Sequence, residues 1–186
     1  MSQSATFYPI NSNDFNEIRR NPNIQFINSR EDYVTFQGTH EGLRFVLSKG
    51  VSNQEAELIN EIFYPTVHTG DTSQYVFPNT VEQGEFIDVT DDKNFEAFDR
   101  EPVLYHDPEK IKQIASLLNN VSDEHFLMQF DPVELNRENI YPWCWNSKKE
   151  DNQAYNEKHI LEDFQNLKKL FNAVSVTDEY LLCFVG

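Results

Sequence analysis

Residues 155–185 read YNEKHILEDFQNLKKLFNAVSVTDEYLLCFV, and two different periodicities meet within them. Tyr155, Ile160, Phe164, Leu167, Phe171 and Val174 recur on one stripe at helical spacing, which predicts the longest helix of the chain. Six residues later Tyr180-Leu181-Leu182-Cys183-Phe184-Val185 is an unbroken apolar run, too short for a further helix and suited to a strand. A helix with one apolar face followed by an apolar strand calls for a sheet packed with helices.

Upstream, short elements of both kinds alternate irregularly. Ala5–Ile10 reads as a strand, and Ser12 is placed to cap a short helix through about Arg20. Tyr33–Phe36 is a short strand candidate, after which Thr39 is placed to cap a helix carrying Leu43, Val46 and Leu47, with Gly50 past its end. Gly42 weakens that helix by about 1 kcal/mol relative to Ala. Ser52 with Glu55 makes a capping box ahead of Ala56, Ile59, Ile62 and Phe63. Glu85–Val89 and Val103–Tyr105 are further strand candidates. Asp107-Pro108 starts a helix whose face is Ile111, Ile114, Ala115, Leu118 and Val121. Ser122 opens another to about Gln129, and Asp131-Pro132 repeats the Asp-Pro start. No pair of consecutive βαβ units emerges. The expectation is an α+β fold: one compact domain over residues 1–186, with a mixed or antiparallel sheet packed with several helices.

The chain carries 15 Lys+Arg against 31 Asp+Glu, a net charge of −16. Phosphate binding depends on cations, so this balance excludes nucleic acid as an expected partner and disfavours anionic membranes. No stretch approaches the roughly 18 apolar residues of a membrane span. The start lacks a basic, then apolar, secretory signal, and the two cysteines, Cys144 and Cys183, make no disulfide framework. A reducing cytoplasm is the expected setting.

The charge is uneven. Residues 1–50 balance, residues 110–186 carry −4, and residues 51–109 hold 14 acids against Lys93 and Arg100, giving −12. The densest part includes Asp88, Asp91, Asp92, Glu96 and Asp99. Such a run is either a solvated face or a surface that steers a basic partner.

Chemical motifs are sparse. The five histidines show no HxxxH or HExxH spacing, and His159 with Asp163 at i, i+4 reads as a surface hydrogen bond sooner than as a metal pair. Neither a nucleophile elbow nor a glycine-rich phosphate loop occurs. Cys144 lies between Trp143 and Trp145, but reactivity would require a base or positive field beside it. Neither cofactor nor metal is expected. The segment Tyr141-Pro142-Trp143-Cys144-Trp145 is the strongest local signal: its aromatics plug the core, or they rim a binding cleft.

Three stretches carry a resemblance. Gly42-Leu43-Arg44-Phe45-Val46-Leu47-Ser48-Lys49-Gly50 is similar to a helical "GLHFLLTG", and Leu104-Tyr105-His106-Asp107-Pro108-Glu109-Lys110-Ile111 to a "YLTPEEV" helix start. Phe130-Asp131-Pro132 through Ile140-Tyr141-Pro142 to Trp145 is similar to "FDP…IYP..W". The chain thereby resembles the YfbM-like family, bacterial proteins with a domain of unknown function. It departs where that family commonly carries Trp and this chain has Thr39 and His40, and it matches poorly over residues 67–99. The resemblance implies a compact cytoplasmic α+β fold and no reaction.

Two functional expectations follow. The first is a non-enzymatic, acidic protein-binding module, in its most specific form an immunity-type inhibitor of a cationic toxin. It would use Asp88, Asp91, Asp92, Glu96 and Asp99 with Tyr141, Trp143 and Trp145 against a basic protein. The second is an enzyme or small-ligand binder with a pocket near Tyr105, His106, Tyr141 and Trp143.

Overall fold

The apolar run at the C-terminal end occupies the middle of a sheet. The structure, a computed structural model, describes residues 3–20, 32–69, 102–147 and 154–186. Its strands are β1 (Ser4–Ile10), β2 (Val34–Gln37), β3 (His68–Thr69), β4 (Val103–His106) and β5 (Tyr180–Val185), in the order β2-β1-β5-β4-β3. Every pair is antiparallel, with Phe7 opposite Cys183, Ala5 opposite Phe36 and Leu104 opposite Cys183. The expected strand at Glu85–Val89 lies outside the described residues.

β5 is apolar on both faces because it is central and both faces are covered. Ala5, Phe7, Phe36, Leu181 and Cys183 point into the main core. Ile10, Val103 and Leu182 point the other way, against Phe15 and Ile18 of α1 (Ser12–Arg20). The period of two therefore divides one hydrophobic strand between two cores.

On the main face lie α2 (His40–Leu47), α3 (Asn53–Phe63), α4 (Pro108–Asn119), α5 (Asp123–Gln129), α6 (Pro132–Arg137) and α7 (Glu157–Ser175). These make seven helices among the described residues, an α+β architecture as expected. α7 buries Ile160, Phe164, Leu167, Leu170, Phe171 and Val174 on one stripe and packs along α4. Tyr155 belongs to its approach instead: Asn156 is the cap, and Tyr155 precedes it in a left-handed conformation, φ +59°. Phe7 is the aromatic hub of the core, with the Phe36, Phe63 and Phe171 rings centred 5.8, 5.9 and 6.1 Å away.

The local start signals form as read at four helices. Ser52 and Glu55 complete the capping box, and Asp107, Ser122 and Asp131 each accept backbone N–H groups at their helix starts. At α1 the cap is one residue earlier than expected: Asn11 Oδ1 accepts the N–H groups of Asn13 and Asp14, both at 3.0 Å. The Ser12 hydroxyl instead donates to the Asp178 carbonyl at 3.2 Å, tying α1 to the approach of β5.

Gly42 reverses the propensity argument. A Cβ there would lie 2.3 Å from Trp145 Cη2 and 2.4 Å from Cζ2, so the indole rests directly on the α2 backbone. Helix propensity favours Ala at this position by a fraction of what the collision costs. Gly42→Ala is expected to destabilise the protein by about 1–3 kcal/mol through overpacking. Gly50→Ala, at φ +70° with nothing within 4 Å, serves as the comparison and costs only the backbone strain of about 1–2 kcal/mol. Urea unfolding of both checks the contact, and the packing account fails if Gly42→Ala leaves stability unchanged.

Candidate functional site

Trp145 is fixed from three directions. Its N–H donates to Asn136 Oδ1 at 3.0 Å, its carbonyl accepts from Asn136 Nδ2 at 2.8 Å, and its indole N–H donates to the Ile140 carbonyl at 3.0 Å. One asparagine side chain thus replaces a strand partner for this stretch of irregular backbone. Trp145 is only 3% exposed, with the Phe130 and Tyr155 rings edge-on at 6.1 and 5.9 Å. It therefore plugs the core, and a partner could not reach it.

Trp143 does the opposite. In an extended chain residues 143 and 145 would face the same side, but Trp143 has φ +63° and breaks the alternation. Its ring is 60% exposed. Its indole N–H donates to the Asn139 carbonyl at 2.9 Å and its backbone N–H to the Ile140 carbonyl at 3.1 Å. The Tyr141 ring stands nearly perpendicular to it, 79° with centroids 5.1 Å apart, and the Tyr141 hydroxyl accepts the N–H of Gln3 at 3.2 Å. Trp143 and Tyr141 form a fixed aromatic shelf beside exposed Cys144.

A polar group lies at the start of α2. Thr39 does not cap with its side chain; its hydroxyl donates to Asp163 of α7. His159 Nδ1 accepts the Tyr155 N–H at 3.0 Å, which places the neutral ring's proton on Nε2, 3.7 Å from Asp163 Oδ2. That is beyond a hydrogen bond, and Asp163 is only 14% exposed, so the pair read as a surface bond is a half-buried contact. Burial pushes the Asp163 carboxyl up.

Several other titratable groups near the core are engaged, although Nδ1 of His40 and of His106 is buried without a hydrogen-bond partner among the described residues. Glu41 accepts from Arg44 at 2.6 Å and from the Tyr64 hydroxyl. Burial pushes its carboxyl up, and these hydrogen bonds together outweigh it, leaving the pKa below the usual range. Burial pushes the Tyr64 hydroxyl up. His106 Nε2–H donates to the Glu61 carbonyl at 2.8 Å while its ring stacks 6.3 Å from Phe7. His40 and His106 are both buried, and burial lowers the pKa of each. Burial likewise raises Cys183, whose Sγ–H donates to the Phe63 carbonyl at 3.3 Å.

The structure separates the four residues of the expected pocket. Tyr105 packs on Phe15 and Tyr180 on the α1 face of the sheet, and His106 is sealed in the main core. Tyr141 reaches Gln3 at the start of β1, whereas His106 pairs with Leu181, opposite Pro9. Six residues along β1 amount to about 20 Å. Alternation on β4 sends the first two to opposite faces, and register keeps them from the other two. Among the described residues, no group of three or more His, Cys, Asp or Glu is placed to hold a metal. Asp88, Asp91, Asp92, Glu96 and Asp99 lie outside the described residues.

With this geometry in view, the comparisons with known proteins are informative. The family Domain of unknown function (DUF1877) matches residues 1–184. The chain belongs to the DUF1877 family. A solved structure, the protein of unknown function YfbM from Escherichia coli, superposes with a TM-score of 0.62 over 100% of both chains at 14% identity. No match emerges among curated proteins. The likeness to the YfbM-like family therefore extends over the DUF1877 chain as a whole, beyond the three quoted stretches. Two of those stretches touch each other here, through Gly42 and Trp145. No helix among the described residues is long and apolar enough to cross a membrane.

Sequence reading missed the Thr39–Asp163 bond and the Asn136 clasp, since nothing in the spacing of these residues signals a partner. The buried histidines yield a prediction. Both are held neutral in the fold, while in the unfolded chain each protonates near pH 6.5. Below that value the unfolded chain binds more protons, so stability falls as pH drops from 6.5 towards the lowered folded values. The loss approaches about 1.4 kcal/mol per group per pH unit. Urea unfolding at about pH 7.5 and about pH 5.5 should show it, and His106→Gln should flatten the slope.

Proposed function

We propose that the chain is a non-enzymatic, cytoplasmic, acidic module that binds a basic protein, in its most specific form as an immunity-type inhibitor of a cationic toxin. The observation that carries this reading is the −12 charge of residues 51–109, where 14 acids face two bases. Within 70–101 alone there are nine acids against Lys93 and Arg100. A charge of this density repels itself and costs stability, and it accelerates encounter with cationic surfaces.

The chemistry of the described residues agrees with a binding role. Glu41 is committed to Arg44 and Tyr64, Asp163 to Thr39, and His106 to a backbone carbonyl. Each of these three groups is thereby occupied in holding elements of the fold together. A general acid or base has to reach a substrate proton, and these groups are engaged inside the fold.

Affinity capture from cells at low salt tests the reading, followed by elution with rising salt. Captured partners should be basic proteins. Combined reversal of Asp88, Asp91 and Asp92 to Lys should weaken capture by about ten- to a hundredfold and slow association. Partners indifferent to both salt and charge reversal would overturn the proposal.

A further inference from the structure

The acidic charge explains attraction and leaves open where a partner is gripped. We infer that Trp143, braced by Tyr141, is the anchor on which a lysine or arginine side chain of the basic partner stacks, an inference that rests on the function proposed above.

The first observation is that exposure of Trp143 is enforced. Trp145, two residues on, is buried on Gly42, so the segment already supplies its share of the core. Trp143 remains 60% exposed at φ +63°, a conformation that costs a bulky residue about 1–2 kcal/mol and that Gly or Asn would adopt readily. A segment serving only to turn the chain gains nothing from tryptophan there.

The second is rigidity. The indole N–H is held by the Asn139 carbonyl, the Tyr141 ring stands at 79° to the indole with centroids 5.1 Å apart, and the Tyr141 hydroxyl is tied to Gln3. A side chain already held in place loses little rotamer entropy on binding, which is why fixed aromatic residues act as hot spots.

The third is charge. With its N–H already donated, the exposed indole has its π surface to offer a partner, and tryptophan is the best aromatic partner for a cation. Arg137 is the one cation among residues 130–147 of the described chain, and its guanidinium is paired with Glu138 at 2.9 Å. The chain as a whole carries a net charge of −16, which repels nucleic acid and acidic peptides and attracts lysine- and arginine-rich segments.

The experiment uses the full chain and its two tryptophans, of which only Trp143 is exposed. Titration with an oligo-arginine peptide at low salt should quench or shift the exposed, red-emitting tryptophan fluorescence and leave the buried component unchanged. Trp143→Leu keeps an apolar surface and removes the π face; it should weaken peptide binding by about three- to thirtyfold. Trp143→Phe should retain affinity within about threefold; should the Leu variant fail to fold, Trp143→Gln, which also removes the π face, takes its place and should show the same loss. Unchanged affinity once the π face is removed, with Asp88, Asp91 and Asp92 reversal still weakening binding, would overturn the anchor and leave the proposed function standing. No binding of the peptide to the unaltered chain would overturn both. An uncharged apolar peptide that quenches Trp143 as strongly as oligo-arginine would overturn the cationic assignment.

Discussion

The contact between the Trp145 indole and the bare backbone of Gly42 is the constraint from which much of the molecule's form follows. A single added carbon at residue 42 would lie 2.3 Å from the ring. Because there is none, the irregular stretch after α6 can press its largest side chain against α2. Asn136 then replaces the missing strand partner, and the path of the chain into α7 is set by Tyr155 and Asn156. Burying Trp145 in this way also decides the fate of its neighbour, since the left-handed turn at residue 143 puts the second tryptophan outside. One glycine thus governs both an interior and a surface.

The polar residues around this contact obey the cost of burying charge. Glu41 is kept ionised by Arg44 and Tyr64, while His40 and His106 are kept neutral by burial. Hydrogen bonds of Glu41 to Tyr64, Thr39 to Asp163 and His106 to the Glu61 carbonyl tie α2 to α3, α2 to α7 and α3 to β4, while Nδ1 of His40 and of His106 is buried without a hydrogen-bond partner among the described residues. Unpaired buried charge would cost several kcal/mol, so pairing of this kind is what packing six helices on one sheet face requires. Reactivity would demand the reverse: a perturbed group left free and open to solvent.

Sequence reading reached what is local. The Ser52–Glu55 box and the caps at Asp107, Ser122 and Asp131 form because donor and acceptor lie within three residues of each other. The stripe of α7 from Ile160 onward was legible because period encodes it, and β5 because a short unbroken apolar run suits a strand; its division between two cores emerges only in the fold. The failures share a different cause. Thr39 bonds to a carboxylate 124 residues away, Ser12 to a carbonyl 166 away, and the need for Gly42 arises from a ring 103 positions on. The joint pocket of Tyr105, His106, Tyr141 and Trp143 failed on topology, since strand order and register, which short-range patterns do not carry, separate β4 from the start of β1. At the aromatic segment, composition pointed to Trp143 and Trp145 alike, and only the backbone dihedral distinguishes the exposed ring from the buried one.

The electrostatic needs of the fold also bear on how the chain's surplus charge is read. Of the 14 acids in residues 51–109, Glu55 and Asp107 cap helices and Glu61 pairs with Lys110 at 2.7 Å. Helix caps and an ion pair thus account for three of the five of these acids that lie outside residues 70–101. Nine acids fall between residues 70 and 101, where only Lys93 and Arg100 offset them. Charge of one sign at that density opposes compaction through self-repulsion, a cost that the proposed attraction to a basic partner would offset. Solubility alone would be served by acids spread over the whole surface, as they are in residues 110–186, where 12 acids are interleaved with 8 bases. Here they are concentrated in one stretch of sequence instead, and it is on that concentration that the proposed discrimination in favour of a basic partner rests.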